Sequence, residues 1–168
     1  MTVFPADIHQ LARQVIKTYA EQKRRISTAE SCTGGLVAAA LTSVPGSSAV
    51  FDRGFVTYSN DAKTDLLGVL PDTLNRYGAV SAEVAEAMAE GALDCSLADV
   101  AVAITGIAGP DCATHGKPVG LVFLGLTTRD GARFHYRCEF QGERDEVRVE
   151  AVKEALKLLA SSAASGAI

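Results

Sequence analysis

No CxxC pair occurs in this chain of 168 residues; its four cysteines, Cys32, Cys95, Cys112 and Cys138, stand far apart. That spacing offers no disulfide framework and reads as reduced thiols. No apolar run approaches the roughly 18 residues that a membrane-spanning helix needs. The stretch from Met1 to Asp7 has neither the basic nor the apolar part of a secretion signal, so a cytoplasmic location without a membrane partner is expected. Lys and Arg form no stripe, and a net charge of -4 with a pI near 5.4 argues against nucleic acid as a partner. A small cationic pocket for one phosphate stays compatible with that balance.

Histidine is scarce as well. His9, His115 and His135 are the only three, and no recognisable pattern sets one of them beside a serine, which disfavours a Ser-His-Asp triad. Cys112 and His115 form a lone C-x-x-H with no second ligand pair, so no metal is expected. Gly34-Gly35 lacks the lysine of a Walker motif. Internal repeats and linkers are missing too. With 48% apolar and 21% charged residues, the composition is that of one globular domain over residues 1–168.

What is present is an alternation of helical and strand patterns. Asp7, with Gln10 three residues on, is the expected cap of a first helix whose Ile8, Leu11, Ala12, Val15, Ile16 and Tyr19 share a face. A strand is expected over Arg25 to Ala29. The next helix buries Leu36, Val37, Ala40, Leu41 and Val44 and ends at Pro45-Gly46. Gly54 to Tyr58 favours a strand, and Asn60 and Asp61 offer caps for a helix through Lys63, Leu66 and Leu67 that Gly68 stops. A short helical stretch around Asp72 to Arg76 precedes a longer helix from Ser81, with Val84, Met88, Gly91 and Ala92 on one face. Val100 to Thr105 is a continuous apolar run, the pattern of a strand covered on both faces. Past the Gly- and Pro-rich loop from Gly106 to Pro118, strands over Val119 to Thr127 and Ala132 to Phe140 join through Arg129-Asp130-Gly131. Arg144 to Ala160 closes the chain as a helix with Val147, Ala151, Val152, Leu156 and Leu159 inward, and Ser161 to Ile168 is expected to fray. The sum is an α/β protein: a three-layer α/β/α sandwich with a mixed, mostly parallel sheet and a C-terminal β-hairpin followed by a helix.

The most informative stretch is Thr28-Ala29-Glu30-Ser31-Cys32-Thr33-Gly34-Gly35, where a strand hands over to a helix. Such a corner collects unpaired N–H groups and the positive end of the helix dipole, which suits a phosphate or a developing oxyanion. In open α/β sheets ligands gather beyond the carboxyl ends of parallel strands. The loops Glu30 to Gly35, Tyr58 to Lys63 and Thr105 to Pro110 are expected to meet there. Ser31 reads either as a helix cap or as a nucleophile. A nucleophile needs a base, and Lys63 is the remaining candidate. Bringing a lysine from ~10.4 to ~7–8 disfavours its ammonium by about 3–5 kcal/mol, which burial can supply. Alternatively Lys63 stays charged and binds a phosphate. Tyr58 either relays a proton between the two or packs as a strand aromatic. Thr105 bonds the substrate or caps a turn. Glu30 orients the serine loop, contacts a ribose or is merely solvated. Cys32, at the same helix start, is a rival nucleophile.

Eight segments in order, TAESCTGG (Thr28–Gly35), PGSS (Pro45–Ser48), GFVTYSNDAK (Gly54–Lys63), LGV (Leu67–Val69), GAVS (Gly78–Ser81), ITGIAGP (Ile104–Pro110), KPVG (Lys117–Gly120) and GERDEVR (Gly142–Arg148), resemble the nicotinamide-mononucleotide amidohydrolases of the PncC group and the C-terminal part of CinA. The resemblance implies hydrolysis of the amide of nicotinamide mononucleotide, a small nucleotide substrate, to nicotinate mononucleotide and ammonia, without metal or organic cofactor. By position it implies Ser31 as nucleophile, Lys63 as its basic partner, and Tyr58 and Thr105 in the active site. The N–H groups of Thr33, Gly34 and Gly35 are then expected at the oxyanion or the phosphate, and the Thr105–Gly109 turn, with Gly106 and Gly109, around the substrate. Cys112-Ala113 departs from the glycine pair that members commonly carry there, which leaves room for a non-catalytic pyridine-nucleotide sensor. The N-terminal domain of full-length CinA has no counterpart, so its pyrophosphatase activity is not expected. A symmetric homo-oligomer is the expected assembly.

Overall fold

Strands β1 (Ile26–Glu30), β2 (Phe51–Val56), β3 (Val100–Gly106), β4 (Leu121–Thr128) and β5 (Arg133–Glu139) form one sheet in the spatial order β2-β1-β3-β4-β5. The structure is a computed structural model and describes residues 3–164. β1 pairs in parallel with both β2 and β3, and β4 runs antiparallel between β3 and β5. β4 is thus the one reversed strand among the described residues. Helices α1 (Ala6–Glu21), α2 (Leu36–Thr42) and α6 (Arg144–Ala164) cover one face of the sheet. The other face carries α3 (Asn60–Leu67), α4 (Pro71–Tyr77) and α5 (Ala82–Asp94). The three-layer sandwich with a mixed, mostly parallel sheet and a closing hairpin and helix is the fold.

Strand alternation gives the two faces different textures. Val100, Val102 and Ile104 of β3 point to the α1/α2/α6 layer, whereas Ala101 and Ala103 point to α5. Small residues on the second face let α5 lie close. A Cβ on Gly125 of β4 would run into the Ala85 carbonyl of α5, and one on Gly91 of α5 into the Leu67 carbonyl at the end of α3. The same parity governs β1. Ile26 packs in the first layer, while Ala29 packs in the second and Ser27 Oγ donates to the Ala92 carbonyl of α5 at 3.3 Å. Continued along the strand, Glu30 falls under α2 and Ser31 on the α3 side.

Several boundaries differ from the sequence reading, each for a local reason. Pro5, not Asp7, is the N-cap of α1; the Asp7 carboxylate accepts the Ile8 N–H and pairs with Lys153 of α6 at 2.8 Å. Ser59 caps α3 by accepting the Ala62 N–H at 3.0 Å, which leaves Asn60 and Asp61 inside the helix. α2 stops at Thr42, with Val44 buried beyond its end. β2 starts at Phe51 rather than Gly54, because Val50 already delivers its carbonyl to the Ile26 N–H. β4 starts at Leu121, after Gly120 has turned with φ +92 beneath Phe140. The expected fraying from Ser161 is overturned: α6 runs on to Ala164, with Ser162 and Ala163 buried and Gln22 Nε2 donating to the Ala163 carbonyl. Packing against α1 overrides the weak local preference there; residues 165–168 of that tail lie outside the described residues. No helix among the described residues is long and apolar enough to cross a membrane.

Candidate active site

The chain leaves β1 to one side for β2 and returns on the other side for β3, so a crevice opens beyond the carboxyl ends of β1 and β3. A cavity of about 600 Å³ lies at that switch point, a size suited to a small organic ligand. Ser31 and Cys32 line it from the loop after β1, and Tyr58, Asn60 and Lys63 from the loop after β2 and the start of α3. The turn from Thr105 through Gly106 to Gly109 supplies the third wall. The three loops therefore meet.

Ser31 is fixed at its backbone by donating to the Ile104 carbonyl at 2.9 Å, while the Glu30 carbonyl holds the Thr57 N–H at 2.8 Å. Lys63 is 1% exposed. Helical side chains lean toward their N-terminus, and that lean carries the Lys63 amine back over the loop after β2. Its Nζ lies 3.1 Å from Ser31 Oγ, 2.9 Å from the Thr57 carbonyl and 3.4 Å from the Tyr58 carbonyl. Burial pushes its pKa below the ordinary lysine value, with the neighbouring Cys32 opposing weakly. A free amine has two N–H groups for the two carbonyls and a lone pair for the Ser31 hydroxyl proton. All three contacts are then used without any carboxylate.

Glu30 is fully buried on the opposite side of the strand end. Its carboxylate accepts from Thr33 Oγ1 at 2.6 Å and from the N–H groups of Gly35, Val37 and Ala38 at 3.0, 3.1 and 2.8 Å. The positive end of α2 is thus taken by the protein's own anion, and Glu30 does not reach the cavity. The Gly34 N–H donates to the Ser31 carbonyl at 3.0 Å. Gly34 and Gly35, at φ +61 and +99, provide the left-handed backbone that folds the corner onto Glu30. Neither has a free N–H, and Thr33, Gly34 and Gly35 are not cavity-wall residues.

Tyr58 stands elsewhere than a relay requires. Its side chain is 60% exposed and its hydroxyl accepts from Arg144 Nη2 at 3.1 Å. Ser31 and Lys63 touch directly, leaving no gap for that hydroxyl. Thr105 is buried on the cavity wall and donates from Oγ1 to the Ala79 carbonyl at 2.7 Å. The Cys32 thiol is buried and pushed up to about 11, chiefly by burial and further by the charge of Glu30. At neutral pH it is a thiol, not a thiolate.

Two cations escaped the residue-by-residue reading. Arg144, the first residue of α6, donates from Nη1 to the Gly109 carbonyl at 2.8 Å, and Lys117 Nζ donates to the Tyr77 carbonyl at 2.6 Å. Both line the cavity, where Asp111 is the single carboxylate among the described wall residues. A usable signal was present: a basic residue opening a helix opposes the macrodipole and needs another reason to stand there. Among the described residues no group of three or more His, Cys, Asp or Glu is placed to hold a metal ion.

Fold and site define a three-layer α/β domain in which a buried lysine meets a serine at the floor of a cation-rimmed cavity. The chain belongs to the CinA C-terminal domain family, which it matches over residues 8–163. It is 47% identical over 154 residues to the nicotinamide-nucleotide amidohydrolase PncC of Escherichia coli (strain K12), covering 92% of this chain and 93% of that one. It is 49% identical over 158 residues to a protein named for competence-damage induction in Caldicellulosiruptor saccharolyticus, covering 94% of this chain. This chain spans 38% of the length of that longer relative. The crystal structure of the competence/damage inducible protein CihA from Agrobacterium tumefaciens superposes with a TM-score of 0.94 at 51% identity, covering 96% of this chain and 98% of that one.

Proposed function

We propose that this chain hydrolyses the carboxamide of nicotinamide mononucleotide to nicotinate mononucleotide and ammonia, with Ser31 as nucleophile and Lys63 as base. The observation that carries this reading is the 3.1 Å contact between the buried Lys63 amine and Ser31 Oγ. PncC-named relatives of nearly the same length are called nicotinamide-nucleotide amidohydrolases, which supports the choice of substrate.

In this scheme Lys63 takes the Ser31 proton as Oγ attacks the carboxamide carbon. The tetrahedral oxyanion is met by the N–H of Cys32 on the cavity wall, which finds no acceptor in another described residue. Such a preorganised donor contributes several kcal/mol to the transition state. Lys63 then returns the proton to the departing ammonia, and a water activated by the same amine cleaves the ester. The nicotinamide ring lies against Ala79, Val80, Ile107 and Ala108, and the phosphate is held at the rim by Arg144 and Lys117. Tyr58 serves by holding Arg144 rather than by moving protons, and Glu30, Gly34 and Gly35 serve by shaping the Ser31 corner.

Ammonia release from nicotinamide mononucleotide by wild type, Ser31→Ala, Lys63→Met and Cys32→Ala tests this reading. Release that survives in Cys32→Ala and vanishes in the other two supports it. Nucleotide binding without release from folded wild type sinks it in favour of a sensor.

A further inference from the structure

Ser31 and Thr105 occupy one rung of the sheet. β1 pairs Glu30 with Ile104 of β3, and the Ser31 N–H continues that ladder by donating to the Ile104 carbonyl at 2.9 Å. The next position therefore sets Thr105 beside Ser31, about 5 Å away at the spacing of neighbouring strands. Ile104 packs in the α1/α2/α6 layer, so strand alternation turns Thr105 to the other side, where Lys63 meets Ser31. Thr105 and Ala79 both line the cavity, and the Thr105 hydroxyl joins them by donating to the Ala79 carbonyl. We propose that Thr105 is a specificity-determining residue whose hydroxyl meets the ligand as an acceptor only, taking an N–H of the carboxamide and turning away the carboxylate of the product. This rests on the reading of the cavity as a site for a pyridine carboxamide nucleotide.

A threonine hydroxyl has one proton and two lone pairs. The proton of Thr105 is committed to the Ala79 carbonyl at 2.7 Å, and among the described residues that carbonyl receives no other donor. Swinging the proton toward a ligand would strip the carbonyl of its bond, a cost that holds the hydroxyl as it is. Lone pairs alone are then left for a ligand beside the nucleophile. A primary carboxamide suits them: its oxygen takes the Cys32 N–H, and its nitrogen still carries two N–H donors. A carboxylate has acceptors at both ends and meets lone pairs with a negative oxygen. Lys63 commits its amine protons to the Thr57 and Tyr58 carbonyls, so neither neighbour of Ser31 offers that oxygen a proton. Discrimination here comes from the mismatch with the acid as much as from the match with the amide.

The test uses Thr105→Val, which keeps the shape without the hydroxyl, and Thr105→Ser, which keeps the hydroxyl. Both are made in the Ser31→Ala protein, which binds without turnover, and are checked for folding by thermal melts. Calorimetry then gives Kd for nicotinamide mononucleotide and for nicotinate mononucleotide. The same changes on the native serine give hydrolysis rates for the amide and for the methyl ester of nicotinate mononucleotide, which offers no N–H. Thr105→Val is expected to move the amide-to-acid ratio of Kd about tenfold in favour of the acid, the scale of one hydrogen bond. Its kcat/KM falls about tenfold on the amide and no more than about threefold on the ester. Thr105→Ser stays within about threefold of the parent in both ratios. Equal losses on amide, acid and ester would mean that Thr105 only holds the Ala79 wall, and they overturn the proposal. Unchanged ratios in Thr105→Val, or ratios in Thr105→Ser that match the valine variant, overturn it as well. Should the valine variant not fold, Thr105→Ala is held to the same ratios. If wild type binds the amide but releases no ammonia, the acyl-transfer reading fails while the binding ratio still decides Thr105. If wild type binds neither nucleotide, the substrate reading and this proposal fall together.

Discussion

Lys63 Nζ lies 3.1 Å from Ser31 Oγ across 32 residues of sequence, and among the described residues every partner of that amine is a neutral oxygen. A lysine placed to bind an anion would be fully charged and open to solvent; this one is neither exposed nor paired with a carboxylate. Ser31→Ala and Lys63→Met are therefore expected each to lower kcat by at least about a thousandfold, as removal of one member of a catalytic unit does. Lys63→Arg separates base from charge. A guanidinium cannot give up its proton in this range, so Lys63→Arg should be as inactive as Lys63→Met. Activity in the arginine variant, measured as ammonia release, would show that only the charge matters.

Cys32 should be a poor target for alkylation. With its thiol pushed up to about 11, only ~0.1% is thiolate at pH 8. Cys95 and Cys112 are exposed. Because Cys112 lines the cavity, the test uses a Cys112→Ala background: iodoacetamide followed by peptide mapping is expected to modify Cys95 first, with ammonia release persisting while Cys32 is still unlabelled. Early modification of Cys32 in step with lost activity would reinstate the thiol as nucleophile.

The lowered pKa of Lys63 has two consequences of opposite kinds. Activity needs the free amine, so kcat should rise with pH along a limb lying below the ordinary lysine value of 10.5. Stability follows the proton count. Between the folded and unfolded pKa values the unfolded chain binds the extra proton, so folding is favoured progressively as pH rises toward 10.5. Below the folded value the cost of burying the ammonium is fully present. Urea melts of wild type against Lys63→Met are expected to show wild type gaining on the variant as pH increases. A pH-independent difference between the two would mean that Lys63 titrates alike in both states.

The cation rim makes a separate claim about the ligand. Among the described residues Arg144 and Lys117 hold only neutral hydrogen-bond partners, Gly109, Tyr58 and Tyr77, so a bound phosphate replaces no ion pair with any of them. Each charged hydrogen bond of this kind is worth about 1.5–3 kcal/mol. Arg144→Ala and Lys117→Ala should each raise KM for nicotinamide mononucleotide about tenfold or more. The effect should shrink sharply for the corresponding nucleoside, which has no phosphate to lose. Equal penalties for nucleotide and nucleoside, in steady-state assays on both, would place the phosphate elsewhere.

The layer architecture and the meeting of three loops were legible because they rest on periodicity and on the rule for parallel strands. Val100 to Ile104, apolar throughout, reads as a strand covered on both faces, and Gly68 as the end of a helix. The sorting of Glu30 from Ser31 was legible in principle too. Adjacent residues at a strand end face opposite layers, which separates the nucleophile candidate Ser31 from Glu30 and selects, among the readings of Glu30, the one in which it orients the serine loop. Arg144 was legible only as a cation that opens a helix against its dipole. Its place at the site depends on where the start of α6 lies against the loops after β1, β2 and β3, and no local pattern encodes that distance. The end of α6 was not legible for a similar reason: Ser162 and Ala163 are buried and Gln22 Nε2 of the distant first helix holds the Ala163 carbonyl, contacts that no local pattern encodes.

Glu30→Gln tests whether the corner depends on charge or only on shape. The amide keeps the volume and one acceptor oxygen but turns an N–H₂ toward amides that need acceptors. Glu30 now takes three backbone N–H groups and the Thr33 hydroxyl, at a helix end whose dipole favours an anion. Loss of those charge-assisted bonds should cost about 2–4 kcal/mol, lowering the melting temperature by roughly 5–15 °C. Because the same carboxylate shapes the turn that carries Ser31, kcat should fall in the part of the population that stays folded, with KM little changed. If Glu30 instead contacted the substrate, the pattern would invert: an unaltered melting temperature with a raised KM. Thermal melts beside steady-state kinetics on one preparation therefore separate a residue that builds the corner from one that touches the ligand.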